Sequence, residues 1–416
     1  MSNSLKVVSI IAKESLRLLE NNLVAAKIMN RGYEAEYSKT VNGYNVGDTI
    51  TIKRNTEFEV ADGAALGSIQ DITQGSMTLQ LSKRKHIPFQ LSTKEMTTDF
   101  NLDRVSEDVL APAMIKLANQ IEQDALGLYK QVPNWVGTPG QVVNSFDDFA
   151  AGTERLNELA VPMDQRYAVL SPRDNRGMVS TQTGLYIQQA ASEAYRKGRL
   201  GEIDGADTYM AQNVVTHVVG TATGTPLVAG ASQTSAYADV KDTWTQTLNT
   251  DGWTNSVTGI LKEGDVFTIA DVYDVNPVSK AQLPHLKQFV VRADANSGAS
   301  TGPAALTISP PIITSGAFQN VSAAPADNAA ITVLGSGGGR YRQNMIMHRD
   351  AFALACVPLY LPTDGAVASR ATKNNFSIRI VKQYDISTDA TVFRADVLYG
   401  LKAIQPWLAT RLSGTA

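Results

Sequence analysis

The chain contains one cysteine, Cys356, in 416 residues, and four histidines. A single thiol excludes an intramolecular disulfide and every multi-cysteine metal site. The histidines are His86, His217, His285 and His348. None has a partner at i+4 or stands in an H-E-x-x-H spacing, so zinc chemistry has no motif. His217 and His348 flank the middle of the chain and could meet in space; ordinary hydrogen-bonding roles are the more economical reading. No G-x-S-x-G elbow and no G-x-x-x-x-G-K-[ST] phosphate loop is present. Charge of one sign is lacking too: 37 Lys+Arg against 40 Asp+Glu leave a net charge of −3, which excludes an overtly basic nucleic-acid binder. No apolar run reaches 18 residues, so no transmembrane helix is expected. Residues Val7–Ala12 start like a signal-peptide core, but Lys13 and Glu14 interrupt it and no cleavage site follows. A soluble cytoplasmic product without cofactor or metal is the expectation.

What is present is apolar patterning, at 43% of residues, sufficient for real cores. Length sets a prior of roughly three domains. Leu5, Val8, Ile11, Leu16, Leu19 and Leu23 suit an amphipathic N-terminal helix. Asp48–Phe58 and Ser76–Ser92 alternate apolar and polar residues around a turn-rich tip, Ala61–Gly67. They read as a long two-stranded arm, or, more commonly for such patterns, as two strands of a larger sheet. Leu110, Met114, Leu117, Ile121, Ala125 and Leu128 form one helical stripe. Pro112 suits its first turn, as do the charges of Glu107 and Asp108; from Pro112 to Lys130 the helix would run about 28 Å. Ser145-Phe-Asp-Asp148 is a capping-box pattern opening a second helix that ends before Pro162. Arg166–Leu170, Phe376–Val381 and Thr391–Leu398 read as strands. Cys356, within an apolar run, reads as a buried inert thiol.

The middle differs in composition. Thr221–Gly339 holds five basic and nine acidic residues, net 5 − 9 = −4; the remainder holds 37 − 5 = 32 basic and 40 − 9 = 31 acidic, net +1. Glycine-rich stretches, Gly220–Gly224 and Gly335–Gly339, bound it, as expected of a domain inserted into an α+β host. Asp265–Asp274, Lys287–Arg292 and Ala305–Ile308 read as its strands, making a small antiparallel β-barrel or sandwich. Asn249-Thr-Asp-Gly-Trp253 carries the Asp-Gly signal of a hairpin tip with a projecting tryptophan. Two basic clusters, Lys83-Arg84-Lys85 and Arg340-Tyr341-Arg342, could touch phosphates or simply be solvated.

The order of these parts, together with three stretches, resembles the HK97-type major capsid proteins of tailed phages, and among them the coat-protein family typified by phage P22. The stretches are Ala194–Gly205 with Asn213–His217; Leu261–Val272 with Phe289 and Leu306–Pro310; and Asn344–Ala355 with Val397–Gly400 and Ala409. The resemblance covers nearly the whole chain. It implies an α+β HK97-type capsid fold with an inserted antiparallel β-barrel. The expected parts are an N-terminal arm (1–40), an E-loop hairpin (41–95), a peripheral domain with a spine helix (96–145), an axial domain (146–220), the inserted barrel (221–339) and closing strands (340–416).

Functionally the resemblance implies a non-enzymatic coat subunit, building pentamers and hexamers of an icosahedral head shell around double-stranded DNA held on the inner face. A scaffolding protein and a portal would be partners, and assembly would occur in the host cytoplasm, with no membrane involved. Candidate inter-subunit contacts are Ile50, Ile52, Leu79 and Leu81, which a lone hairpin cannot cover, and Lys83, Arg84 and Lys85. Asp251 and Trp253 join them, because an insertion-domain loop of the family reaches across a twofold axis; Trp253 packed on its own barrel is the alternative. A secreted adhesin or carbohydrate-binding β-protein is the competing functional class.

Overall fold

In the computed structural model the described residues are 3–38, 40–41, 44–45, 47–58, 72–94, 109–182, 200–363 and 366–415. The Ala61–Gly67 tip, Glu107, Asp108 and Ala194–Arg199 lie outside them. Contacts divide the chain into two units: Met1–Ile50, Thr78–Leu126 and Phe352–Lys402; and Thr51–Met77, Gly127–Ala351 and Ala403–Ala416.

The first unit is built on two helices and a sheet. The N-terminal helix, Asn3–Asn22, buries Val8, Ile11, Leu16 and Leu19. It packs against the helix Ala111–Leu126 and the strands Val367–Lys373 and Phe376–Asp385. The second helix buries Met114, Leu117, Ile121 and Ala125, the stripe read from spacing. It ends at Leu126 and tightens into a 3-10 turn over Gly127–Gln131, where glycine disfavours continued α-helix. Glu122 projects from it and accepts the amides of Val24, Ala25 and Ala26 at 2.9, 2.9 and 3.0 Å. A carboxylate thereby caps the helical turn Ala25–Ile28 from a distant element.

The long strand Ala390–Ala403 organises the sheet, pairing with Phe376–Asp385 and, over Lys83↔Tyr399 to Ser92↔Ala390, with Lys83–Ser92. Of the two readings of this segment, the larger sheet is the one observed for Lys83–Ser92. Thr49–Lys53 pairs with Ser76–Gln80, but Lys83–Ser92 leaves that hairpin for the five-stranded sheet. A ten-residue ladder, with Phe89 stacked on Phe393 at 5.2 Å, satisfies far more backbone than a solitary hairpin does.

The second unit carries a mixed six-stranded sheet, in the order Asn134–Val136, Ala409–Leu412, Asn344–His348, Arg166–Leu170, Ala206–Met210, Gly201–Ile203. Its helix Phe146–Glu158 begins with the reciprocal capping box of Ser145 and Asp148. Gly152 of that helix lies where a Cβ would be 2.8 Å from Ile346, so glycine sets how closely helix and sheet approach.

Between Val218 and Arg340 the chain forms a six-stranded antiparallel sheet: Gly224–Val228, Gln246–Trp253, Ala304–Ser309, Gln282–Val291, Val266–Val275, Ile331–Val333. A bridge between Leu227 and Ala330, with the Val228 amide on the Ala329 carbonyl, joins its two edges and closes the barrel. Leu248, Trp253, Phe267, Phe289, Leu306 and Ile308 belong to a core confined to this segment.

Candidate functional site at the root of the barrel

The chain reaches the barrel through Thr216–Val218 and leaves it through Arg340–Arg342. These strands pair antiparallel: Thr216↔Arg342, His217↔Tyr341, Val218↔Arg340. Beneath them lies a buried polar network. His217, 3% exposed, receives the Tyr129 hydroxyl at Nδ1 (2.9 Å) and meets Asp265 Oδ1 with Nε2 at 2.7 Å. An ionised Asp265 only accepts, so the geometry assigns the proton to Nε2 and leaves Nδ1 to accept from tyrosine. Asp265 is wholly buried and also accepts the amides of Gly220 (3.0 Å) and Lys262 (2.7 Å).

This Tyr–His–Asp chain shares the connectivity of a nucleophile–base–orienter triad. Its electrostatics run the other way. Burial pushes the Tyr129 hydroxyl up to about 12, the opposite of an activated nucleophile. The network fixes the junction. Arg411, from the strand Ala409–Leu412, is fully buried beside it, donating to the carbonyls of Gly264 and Val132 at 2.7 Å each. Its guanidinium lies over Tyr129 and Trp135, 5.2 and 5.7 Å from the ring centres. Burial brings its pKa down to about 9, and three kinds of compensation (carbonyls, π faces and the field of Asp265) hold it charged at neutral pH. Trp135 and Gln288 add a reciprocal pair, amide to Oε1 at 2.6 Å and Nε2 to carbonyl at 2.7 Å.

A second charged group ties the barrel to the helix Phe146–Glu158. Lys287 Nζ lies 2.8 Å from Asp274 Oδ1, and His285 reaches both Asp274 and Glu158 at 3.4 and 3.3 Å. Asn276 donates to the Glu158 carbonyl at 2.7 Å. Burial opposes ionisation of Asp274, but Lys287 and His285 outweigh it and bring the carboxyl down to about 2.

Two cavities lie in the second unit, one of them at the root. One of about 170 Å³ is lined by Arg54, Tyr237, Trp244, Lys287, Phe318 and Trp407 among others, with Tyr237 stacked on Phe318 at 3.5 Å. The other, of about 190 Å³, is polar and takes Arg173, Asp174, Thr216, Arg340, Arg342 and Asn344 into its walls. No group of three metal-ligating side chains occurs among the described residues. His348 lies on a different strand from His217, paired opposite Arg166, so the two flanking histidines do not share a site. The Cys356 thiol is buried and pushed up to about 11 by that burial, consistent with an inert residue.

The proposed contact residues fall into three groups. Ile50, Ile52 and Leu79 are 7%, 7% and 0% exposed within the single chain, and the Leu79 carbonyl accepts the Tyr37 hydroxyl at 2.6 Å. Their cover is intramolecular, which corrects the expectation that another subunit supplies it. Leu81 is half-buried; Lys83 and Arg84 are exposed and Lys85 half-buried on the strand opposite Tyr399–Val397. Asp251 and Trp253 are not at a hairpin tip: both lie in the strand Gln246–Trp253, where Asp251 pairs with Leu227. Trp253 is 2% exposed, packed in the barrel core with its indole N–H on Thr250 at 2.9 Å. Gly252 adopts φ +73° opposite a register shift, and a Cβ there would stand 2.3 Å from the Thr225 carbonyl. The Asp-Gly pair thus serves a bulge, which demands the same positive φ as a tight turn.

Sequence reasoning missed Tyr129, Asp265, Arg411 and Arg173. The one available signal was Lys262-Glu-Gly-Asp265 before a strand, a turn whose aspartate accepts the Lys262 amide.

The family described as "P22 coat protein - gene protein 5" matches residues 1–414. A curated "Major capsid protein" from Acyrthosiphon pisum secondary endosymbiont phage 1 is 22% identical over 431 residues, covering 100% of both chains. A solved structure from Mycobacterium phage Che8 aligns with TM-score 0.46 and 12% identity over 94% of this chain and 90% of that one. The "CUS-3 coat protein I-domain" aligns with TM-score 0.20 and 27% identity, over 27% of this chain and 96% of that one.

Proposed function

Because the chain belongs to the P22 coat protein family, matched over residues 1–414, we propose that its parts take the places such a subunit needs in a head shell. The protein is a phage major capsid protein, a structural component of the virion whose copies associate with one another into the shell. The adhesin alternative has no support.

The finer reading is ours. Residues 1–40 act as the N-terminal arm, 41–95 as the E-loop, 96–145 as the peripheral domain with its spine helix, 146–220 with 340–416 as the axial and closing parts, and 221–339 as an inserted domain. Assembly proceeds in the host cytoplasm with a scaffolding protein and a portal, and double-stranded DNA fills the inner face. Asp251 and the basic strand Lys83–Lys85 remain contact candidates in this reading. The family match across the whole chain carries the proposal; the barrel's private core and its paired incoming and outgoing strands support the inserted-domain assignment. The test is electron microscopy of the purified full-length protein, alone and with the scaffolding protein of its phage. Closed shells are expected, and monodisperse monomers under every condition would overturn the reading.

A further inference from the structure

The polar cavity beside the root holds three guanidiniums and no free carboxylate. Arg340 and Arg342 stand two residues apart on the outgoing strand, so they share one face, and both are exposed. Tyr341, between them, points the other way: its hydroxyl accepts the Ser336 amide at 2.9 Å and its ring meets Trp135 edge-on at 6.1 Å. That anchor, with the ladder to Thr216–Val218, fixes the face on which the arginines project. Arg173, also exposed, faces them from the first turn of the helix Pro172–Gln182. The one acidic lining residue, Asp174, is 3% exposed and spent on its own neighbours, accepting the Val143 amide at 3.0 Å and the Ser171 hydroxyl. Asn344 is likewise committed, to the Ser171 amide and the Leu412 carbonyl. Among the described residues none of the three arginines has an ion pair. Like charges gathered around about 190 Å³ of polar space call for an anion.

Resting on the reading of this protein as a shell subunit, we propose that the cavity receives a carboxylate from the barrel of a second copy. Charge complementarity points there. Thr221–Gly339 carries five basic and nine acidic residues, whereas the remainder is net +1. Most of the barrel's carboxylates are engaged: Asp265 and Asp274 in the networks above, Glu263 with Lys130, and Asp242 with Ser76. Asp239 and Asp271 are exposed and have no partner among the described residues. Asp271 is displayed at φ +62° within the shift of strand register between Thr268 and Tyr273, a conformation that aspartate tolerates better than most residues. In a shell every copy offers both the cavity and the carboxylates, so the contact repeats without a second protein.

The experiment compares shell assembly by full-length subunits of wild type, Arg340→Gln/Arg342→Gln and the charge swaps, across NaCl concentrations. All three arginines and both aspartates are exposed, so variants should keep their thermal midpoints and near-ultraviolet dichroism. The double variant should need at least about tenfold more protein to form shells at low salt, and the difference should shrink towards 1 M NaCl. Arg342→Glu should block assembly at low salt, and adding Asp271→Lys or Asp239→Lys should restore it. Unchanged concentration and salt profiles in the double variant would overturn the proposal, as would failure of both swaps to restore shells. Normal assembly with loss of retained DNA would also overturn it, by assigning the cavity to nucleic-acid phosphate. If wild type itself forms no shells, the shell-subunit reading fails first, which separates the two outcomes.

Discussion

His217 Nε2 and Asp265 Oδ1 stand 2.7 Å apart across the point where the chain passes into the barrel, one on the incoming strand and the other in the turn before the strand Val266–Val275. Asp265 ties its own turn, through the Lys262 amide, to the incoming segment, through His217 and the Gly220 amide. A fully buried carboxylate with three donors is costly to disturb, because each donor left behind is itself buried. Asp265→Asn is expected to lower stability by about 2–4 kcal/mol in urea unfolding of the full chain. A loss below about 1 kcal/mol would show that the network is not what secures the junction.

Trp253→Ala tests the corrected place of that residue. A tryptophan sealed inside the barrel core should cost about 3–5 kcal/mol on truncation. Calorimetry should show the loss in the subunit itself, before any shell forms. An unchanged thermal midpoint with altered shells would instead mean that the indole acts between copies.

The Asp274 carboxyl, held near 2 against an ordinary value of 3.8, gives an acid-sensitive contribution. A lowered carboxyl pKa stabilises above the unfolded value and loses its effect as pH falls through the folded one. Stability should therefore drop by about 2 kcal/mol between pH 4 and pH 2 through this group. Lys287→Met should cost about 3–5 kcal/mol at pH 7 by leaving Asp274 buried without its partner. Equal acid sensitivity in wild type and Asp274→Asn would contradict the assignment.

Glu122 behaves oppositely. Burial raises its pKa more than the three amides and Lys27 lower it. A raised carboxyl pKa stabilises most below the ordinary value of 4.5, and that share fades as pH climbs through the folded value. Glu122→Gln should flatten this slope while keeping an acceptor for part of the Val24–Ala26 cap. Hydrogen exchange of those three amides against pH is the readout, and an unaltered slope in the variant would remove Glu122 as its source.

Much of the fold was legible because local physics and tertiary structure agree. The Leu110–Ala125 stripe, the Ser145 cap and Arg166–Leu170 match the observed elements within a few residues, each governed by periodicity or a capping hydrogen bond. For Lys83–Ser92 the alternation specifies a strand but leaves its partner open, because Ala390–Tyr399 is about 300 residues away. Asp251-Gly252 failed because glycine reports a positive φ without reporting whether a turn or a bulge needs it. The junction was the least legible part. Tyr129, His217, Asp265 and Arg411 come from four distant segments, and no spacing connects them.

The three-residue ladder between Thr216–Val218 and Arg340–Arg342 bears on how such a chain can be edited. Val218 and Arg340 face each other across an antiparallel pair, the geometry that a two-residue turn closes. As a matter of backbone alone, 121 residues could be excised and the host strands rejoined as a simple hairpin. The side chains forbid so clean a cut. Arg411 would lose the Gly264 carbonyl, Trp135 would lose both bonds to Gln288, and the Tyr129–His217 pair would lose the carboxylate that orients it. The barrel is modular in its path and dependent in its chemistry: a shell protein deprived of it would need new partners for a buried cation before it needed a new loop.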